Sequence, residues 1–392
     1  MFGFGKDKKK DGSAGTGTPP EKLQEALAAD LAKVMDPDMK RELQSLGGIR
    51  DLKATPEEVS FTLELHLHNP PHLQQLQDEL KKVIASHAPD AKANITMAGN
   101  VRAAGGGAWN KVGVPGVKNV ILVGSGKGGV GKSTVASNLA VALAKDGAAV
   151  GLLDADIYGP SLPTMFGLNN GTRPTSKDGK TMEPLDRYGV KLISIGFLTD
   201  ANTPMVWRGP MVASACMQLF KDVNWAPLDY LVVDLPPGTG DIQLSLSQQI
   251  AVAGAVLVTT PQDVALADVV RAKSMFDKVG IPTLGLVENM SFFVCDGCNK
   301  RHEIFDSGGQ RNADRLSVPF LGALPLETPV RQGGDEGTPV VVRNPSSAAA
   351  VGLREVAQQV ALRIALLAVD APREEPPPPK EPGKNPLLRV MN

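Results

Sequence analysis

The chain has 392 residues, of which 42% are hydrophobic, and its 41 lysines and arginines nearly balance its 42 aspartates and glutamates. This length is sufficient for two or three domains with cores of their own. The near-neutral charge provides no long-range attraction to nucleic acid or to an acidic membrane, so we expect neither as a partner. Because the sequence contains no uncharged apolar run of about eighteen residues, it predicts a cytoplasmic protein without a membrane span.

The N-terminal residues predict a tail followed by a small domain. Residues 1–19 are rich in glycine, lysine, serine and threonine and lack periodic apolar residues, so we expect a disordered tail. Leucines at helical spacing follow, Val59–Leu67 alternates as a strand does, and Leu73–Ile84 is again helical. We therefore expect a small α+β domain over residues 20–99, and a flexible linker rich in alanine and glycine over residues 100–115.

The second domain, residues 116–370, alternates apolar runs with helical segments. This pattern is typical of an α/β fold with a doubly wound, mostly parallel sheet that is covered on both faces. The expected strands are Asn119–Gly124, Ala149–Asp154, Lys191–Ile195, Tyr230–Asp234, Ala255–Thr260, Leu284–Glu288 and Phe320–Ala323. An amphipathic packing helix is expected over Ala348–Val369. Residues 371–392 are rich in proline and charge, so we expect a second disordered tail.

A glycine-rich loop follows the first expected strand of this domain and precedes a helix. Its residues are Gly126, Lys127, Gly128, Gly129, Val130, Gly131, Lys132, Ser133 and Thr134. Glycines let backbone N–H groups surround phosphate oxygens, and the following helix directs its positive end to the same place. The loop therefore predicts an ATP site in which Lys132 contacts the β- and γ-phosphates and Ser133 supplies a hydroxyl to Mg²⁺. A glycine-rich turn without a ligand is the alternative.

The loop contains a second lysine, Lys127, at its start. A lysine at this position cannot easily point into its own site, but it can cross a two-fold interface to the phosphates of a partner subunit. Lysine or arginine fingers of this kind accelerate hydrolysis in other NTPases. We therefore assign catalytic roles to Lys127 and Lys132, and expect a homodimer.

Acidic and amide side chains follow other expected strands. Asp154 and Asp156 end one strand, and Asp234 ends another, where it would hold Mg²⁺ through water. Asp156 is the candidate for orienting the attacking water, although a turn or cap role is the alternative. Asp241 either senses the γ-phosphate or caps a helix. Asn289 either offers its amide to the adenine edge or forms a turn.

Two of the three cysteines form a CxxC motif, Cys295 and Cys298, whereas Cys216 lies in an apolar helix and is expected in the core. Three cysteines are too few for a disulfide framework in a chain of this length. One CxxC cannot complete a four-thiolate site, but two copies related by a two-fold axis can hold a [4Fe-4S] cluster or one Zn²⁺. A redox dithiol and inert structural thiols are the alternatives.

Residues 116–368 closely resemble the Mrp/ApbC iron-sulfur carrier ATPases, in the MinD/ParA-like group of P-loop proteins with a deviant Walker A loop. The motifs that carry the resemblance are Gly126–Thr134, the CxxC, Asp154–Ser161, Trp207–Pro210 and Thr260–Asp263. The resemblance implies a homodimer that binds a labile [4Fe-4S] cluster through Cys295 and Cys298 of both chains. It also implies that ATP binding or slow hydrolysis is coupled to delivery of the cluster to apo-proteins, and that scaffold proteins are partners.

Residues 21–97 resemble the small domain that is often fused in front of bacterial members of this family. That domain commonly carries a cysteine after its strand, whereas this chain has His68–His72 there, so a docking role is expected instead of a thiol role. A positioning or partition ATPase of the MinD/ParA kind is one alternative function, but it does not explain the cysteines. A metal chaperone with a zinc-bridged dimer is another.

Overall fold

The computed structural model describes residues 20–105, 111–157, 159–169, 171–176, 178–197, 209–295, 297–298, 300–304 and 308–371. Several predicted features lie outside these residues. They are residues 1–19, residues 372–392, residues 106–110 of the expected linker, Tyr158, Trp207, Arg208 and Asp296.

The N-terminal part folds as two helices packed against a three-stranded sheet. Strand β4 lies in the centre of the sheet, antiparallel to β3 and parallel to β5. Leu27 and Leu31 of α1 and Leu76 and Leu80 of α3 are fully buried or nearly so, as their helical spacing predicts. The elements are α1 (Pro20–Ala32), β1 (Met35–Asp36), β2 (Arg41–Glu42), α2 (Leu43–Leu46), β3 (Ile49–Ala54), β4 (Glu58–Leu65), α3 (Leu73–His87) and β5 (Lys92–Gly99).

The remainder of the chain alternates strands and helices. Its first elements are β6 (Val117–Ser125), α4 (Lys132–Lys145), β7 (Val150–Asp154), α5 (Leu162–Met165), β8 (Thr175–Ser176), β9 (Met182–Glu183), β10 (Leu185–Arg187), β11 (Val190–Ser194), a 3₁₀ helix (Ile195–Phe197), α6 (Gly209–Lys221) and β12 (Leu228–Asp234). Its later elements are α7 (Asp241–Gln249), β13 (Gly254–Thr259), α8 (Asp263–Lys278), β14 (Thr283–Val294), β15 (Arg301–His302), α9 (Gly309–Leu316), β16 (Phe320–Pro325), α10 (Thr328–Asp335), α11 (Val340–Arg343) and α12 (Ala348–Asp370).

A mostly parallel sheet forms the centre of this part. The parallel strands lie in the order β11-β7-β12-β6-β13-β14-β16, and β10 adds an antiparallel strand beside β11. All seven expected strands are confirmed as members of this parallel set. Strand β14 is longer than expected: it continues past Glu288 to Val294, where it pairs with the antiparallel β15.

Helices cover both faces of the sheet, which explains why its strands are apolar on both sides. One buried cluster contains α4, α12 and the leucines of the N-terminal part. The other contains residues of α6 and α8, including Cys216, whose expected place in the core is confirmed. The predicted packing helix is confirmed as α12. No helix among the described residues is long and apolar enough to cross a membrane.

The N-terminal part contacts the central sheet through the segment that follows β4. His68 Nε2 lies 3.2 Å from Asp229 Oδ2 on β12, and Asn69 Nδ2 donates to Asp146 Oδ1 at 2.8 Å, just after α4. The start of the expected linker is also packed, because Ala104 is buried and its N–H donates to Asn119 Oδ1 at 2.9 Å. The division of the chain into separate domains stays a prediction.

Candidate functional site

Three neighbouring parallel strands end at one edge of the central sheet. Strand β6 leads into the glycine-rich loop, β7 ends at Asp154, and β12 ends at Asp234. The register pairs Asp234 directly with Asp154, and with Val123 on the other side. Since the carboxyl ends of parallel strands meet at one edge, residues far apart in the sequence surround the same loop.

The glycine-rich loop adopts a conformation that requires its glycines. Gly129 and Gly131 have φ angles of 80° and 82°, in the left-handed region that residues with side chains rarely adopt. A Cβ atom on Gly126 would lie 2.2 Å from the backbone of Asp268, so the start of the loop packs closely against α8. Helix α4 begins at Lys132, immediately after the loop, and its N-terminus favours an anion there.

Lys132 brings three of the predicted site residues together. Its Nζ lies 2.5 Å from Asp234 Oδ1, 3.3 Å from Ser133 Oγ and 3.9 Å from Asp156 Oδ2. The Lys132 side chain is 6% exposed and Asp234 is fully buried. The structure therefore places the catalytic and Mg²⁺-binding candidates within a few ångströms of one ammonium group.

The carboxylates of Asp154 and Asp234 are both buried and repel one another. Burial raises the pKa of Asp234, and the Lys132 ammonium opposes that shift. Burial and the neighbouring Asp234 charge raise the pKa of Asp154 to about 7. Asp154 accepts hydrogen bonds from Ser194 Oγ at 2.9 Å and from the Asp156 N–H at 3.1 Å. Asp154 thus fixes the chain that carries Asp156.

The chemistry of this edge fits a magnesium ion. Asp234 Oδ2 is buried and has no hydrogen-bond partner among the described residues, while Oδ1 contacts Lys132. Carboxylate and hydroxyl oxygens are the ligands that Mg²⁺ and its bound waters prefer. Asp234 and Ser133 would hold the ion here.

A cavity of about 500 Å³ opens beside the loop. Its lining includes Gly131, Thr134, Asn289, Met290 and Pro325. Its size and largely apolar lining suit a nucleoside. Asn289 Nδ2 donates to the Val130 carbonyl at 2.9 Å, so this amide hydrogen contacts the loop itself. A contact between Asn289 and adenine stays a prediction.

The two remaining nucleotide candidates lie at the start of the loop and beside it. Lys127 is half-buried, and its carbonyl accepts from Ser125 Oγ at 2.9 Å. The Gly238 N–H donates to the Ser125 carbonyl at 3.0 Å, so the segment after β12 lies against the same loop. Helix α7 begins at Asp241, and Gly240 occupies the N-cap position that was one alternative for Asp241.

Cys295 and Cys298 lie at the tip of a short β-hairpin, which we call the cysteine hairpin (residues 293–295, 297–298 and 300–302). Phe293 pairs with His302 and Val294 with Arg301, and the Cys295 N–H donates to the Lys300 carbonyl at 3.0 Å. Cys295 is half-buried and Cys298 is exposed. Within the part of the chain that the structure describes, no third histidine, cysteine or carboxylate joins them to form a metal site.

Sequence reasoning missed Glu288 and Ser291, which flank the cavity-lining residues Asn289 and Met290 on β14. Both are fully buried, and Ser291 Oγ donates to Glu288 Oε1 at 2.7 Å. The available signal was a glutamate at the end of an apolar strand. Lys and Glu side chains are almost never fully buried without a partner.

Comparison with known proteins identifies relatives along most of the chain. The model of the ParA family, described as "NUBPL iron-transfer P-loop NTPase", matches residues 116–361. The "Iron-sulfur cluster carrier protein" of Synechocystis sp. is 44% identical over 88% of this chain and 99% of its own length. The protein of the same name from Escherichia coli is 43% identical over 88% of this chain and 93% of its own length.

A mitochondrial protein of Arabidopsis thaliana, "Iron-sulfur protein required for NADH dehydrogenase", is 52% identical over 66% of this chain and 82% of its own. Among solved structures, a nucleotide-binding protein of Archaeoglobus fulgidus in complex with ADP matches with a TM-score of 0.53. It is 37% identical and covers 60% of this chain and 91% of its own. The chain therefore belongs to the ParA family, as a P-loop NTPase of the NUBPL iron-transfer type.

Proposed function

We propose that the chain is an ATP-dependent iron-sulfur cluster carrier. In this proposal two copies hold a [4Fe-4S] cluster between their CxxC motifs and pass it to apo-proteins. The observation that carries the proposal is the placement of Cys295 and Cys298 at the tip of a hairpin formed by β14, the strand that also contacts the glycine-rich loop. The names of the carrier relatives from Synechocystis and Escherichia coli give independent support.

The nucleotide half of the proposal assigns a role to each side chain near the loop. Lys132 would contact the β- and γ-phosphates of ATP in place of Asp234. Asp234 and Ser133 would hold Mg²⁺, which would supply neutralisation of phosphate charge. Asp156 orients the attacking water. Lys127 stabilises developing charge on the phosphates of the partner subunit. Slow hydrolysis then regulates how long the cluster is held.

The cluster half follows from the number of thiols. A [4Fe-4S] cluster takes four thiolates, and each copy supplies two. A two-fold axis beside the hairpin tips supplies the other pair from an identical surface. The partners are therefore a second copy of the chain, the scaffold proteins that supply the cluster and the apo-proteins that receive it.

Anaerobic reconstitution with iron and sulfide tests the proposal. We expect visible absorption typical of a [4Fe-4S] cluster, a ratio of one cluster to two chains, and a dimer by mass measurement. Cys295→Ala is expected to abolish the cluster, whereas Cys216→Ala, which changes a buried thiol far from the hairpin in sequence, is the control and retains it. A cluster bound by a monomer, or retained in Cys295→Ala, contradicts the bridging arrangement. Preferential uptake of zinc by the same four thiols would indicate a metal chaperone instead.

A further inference from the structure

Strand β14 reaches both the glycine-rich loop and the cysteine hairpin. Near its middle, Asn289 Nδ2 donates to the Val130 carbonyl of the loop at 2.9 Å. Six residues later, the Cys295 N–H donates to the Lys300 carbonyl at the hairpin tip. A regular strand rises by about 3.3 Å per residue, so the two contacts lie at most about 20 Å apart along the chain.

The strand is irregular between these contacts, over residues 288–291, which we call the β14 bulge. Its register against β16 shifts between Glu288 and Phe292. Met290 has a φ angle of 55°, in the left-handed region that costs free energy for a residue with a side chain. Met290 and Asn289 both line the nucleoside cavity. The strained part of the strand is therefore also a wall of the cavity.

Two buried side chains hold the β14 bulge in place. Ser291 Oγ donates to Glu288 Oε1 at 2.7 Å, and the Gly308 N–H donates to Glu288 Oε2 at 3.3 Å. Gly308 occupies the N-cap position of α9, where a helix favours a negative group. Both Glu288 and Ser291 are fully buried, so water does not compete for these hydrogen bonds.

The base of the cysteine hairpin touches the same cavity wall. Phe292 pairs with Pro325, and the Leu326 N–H donates to the Phe292 carbonyl at 2.7 Å. Pro325 and Leu326 both line the cavity. On the other strand of the hairpin, the Arg301 guanidinium lies 3.8 Å from the centre of the Phe292 ring. A ligand that displaces Pro325 and Leu326 would therefore also displace the base of the hairpin, because the strands β14 and β16 are hydrogen-bonded to each other at Phe292.

We propose that Glu288 and Ser291 are positioning residues for the cysteine hairpin. Through them, nucleotide in the cavity changes the accessibility of Cys295 and Cys298. The inference rests on the proposed function and deepens it, because it assigns the coupling between ATP and the cluster to the β14 bulge.

The test uses the full chain without a cluster, so its readout is independent of cluster chemistry. Cys295 and Cys298 are alkylated with iodoacetamide, and the rate at each is followed by peptide mass spectrometry with and without saturating Mg·ADP. ADP affinity is measured separately by calorimetry. The variants are Ser291→Ala and Glu288→Gln. The control is Thr283→Val, which changes a buried hydroxyl at the start of β14 that has no hydrogen-bond partner among the described residues.

In the parent and in Thr283→Val we expect ADP to change the Cys295 rate by about fivefold or more, the lower end of typical coupling between sites. In Ser291→Ala and Glu288→Gln we expect the change to fall below about twofold while ADP affinity stays within about twofold of the parent. Glu288→Gln keeps the size of the side chain. It can therefore be used to test the inference if Ser291→Ala does not fold.

Three results separate this inference from the proposed function. The positioning role alone is overturned if ADP leaves the alkylation rates of the cysteines unchanged in the parent. It is also overturned if both variants respond to ADP as the parent does. If the parent cannot be reconstituted with a cluster but ADP still changes the alkylation rate of Cys295, the carrier proposal alone is overturned. Absence of ADP binding overturns both.

Discussion

Asp234 and Asp154 are direct cross-strand partners at the ends of β12 and β7, and both carboxyls are fully buried. Asp234 has a close cation, the Lys132 ammonium at 2.5 Å, whereas Asp154 has none among the described residues. Two carboxylates in one low-dielectric site cannot both ionise without cost, so the charge of Asp234 raises the pKa of Asp154. The ionisation of this pair therefore makes the stability of the protein depend on pH.

The first prediction concerns that dependence. Burial and the Asp234 charge raise the pKa of Asp154 to about 7 in the folded state. In the unfolded state the pKa of an aspartate is about 4. The folded state therefore binds more protons than the unfolded state between about pH 4 and pH 7, and stability falls as pH rises through that window. Asp154→Asn is expected to reduce this fall by up to about 4 kcal/mol, since one pKa unit corresponds to about 1.4 kcal/mol.

Urea denaturation at several pH values measures the slope of the free energy of unfolding. Asp90→Asn changes an exposed aspartate and is the matched control, with the slope of the parent expected. Parallel pH profiles for the parent and Asp154→Asn would falsify the shared titration. The absolute stability of Asp154→Asn is not the readout, because the amide cannot accept all the hydrogen bonds of the carboxylate.

The second prediction concerns Lys132. Lys132→Ala is expected to weaken ADP binding by roughly 1.5–3 kcal/mol, or about ten- to a hundredfold, because hydrogen bonds to charged groups are lost. It also leaves the buried Asp234 without its ammonium partner, so the nucleotide-free protein should lose about 3 kcal/mol of stability at neutral pH. Calorimetry and chemical denaturation measure the two effects.

Lys145→Ala, in the last turn of the same helix and exposed, is the control for Lys132→Ala. We expect its ADP affinity and stability to match those of the parent. If Lys132→Ala binds ADP as tightly as this control does, the phosphate role of Lys132 is wrong.

The third prediction separates binding from hydrolysis. Lys127→Ala is expected to leave ATP affinity nearly unchanged and to reduce kcat by a factor on the order of 10³, the low end for finger residues. The rate of the parent should rise with protein concentration as dimers form, and that rise should be absent in the variant. Steady-state phosphate release over a range of protein concentrations is the measurement. Equal kcat for Lys127→Ala and the parent would remove the trans-acting role.

The fourth prediction concerns the contact between the N-terminal part and the sheet. Although burial opposes it, hydrogen bonds from His68 and from the Ala149 N–H hold the pKa of Asp229 below its usual range. A double-mutant cycle with His68→Ala and Asp229→Ala is expected to give a coupling energy of about 1 kcal/mol in urea denaturation. This stability is present above about pH 4 and is lost as pH falls below that value.

Lys118→Ala removes the more exposed partner of the same carboxylate and serves for comparison in that cycle. Its side chain is 45% exposed, against 22% for His68. The Lys118–Asp229 coupling should therefore be the smaller of the two. A His68–Asp229 coupling of zero would show that the two groups are adjacent without stabilising the contact.

Much of the central sheet could be predicted from the sequence, because a strand buried on both faces is a short apolar run with clear ends. The strand Tyr230–Asp234 is an example: its buried run and its terminal aspartate were both visible. The glycine-rich loop was equally visible, since Gly129 and Gly131 adopt a conformation that other residues avoid.

The connection between the two halves of the site could not be predicted in the same way. Strand β14 was expected to end at Glu288, because a charged residue normally marks the end of an apolar run. The buried Glu288 is satisfied by Ser291 and by Gly308, and the latter lies on another element. Contacts of this kind depend on tertiary packing, which periodicity does not encode. The same reason applies to Asn289, whose amide hydrogen contacts Val130.

The exposure of Cys298 at the hairpin tip has a consequence for handling the protein. In the proposed carrier, dioxygen would reach a cluster at that tip by the same route as an acceptor protein. Shielding it more deeply would slow oxidative damage and would also slow its delivery. A cluster that is exposed enough to be transferred is therefore also expected to be sensitive to air.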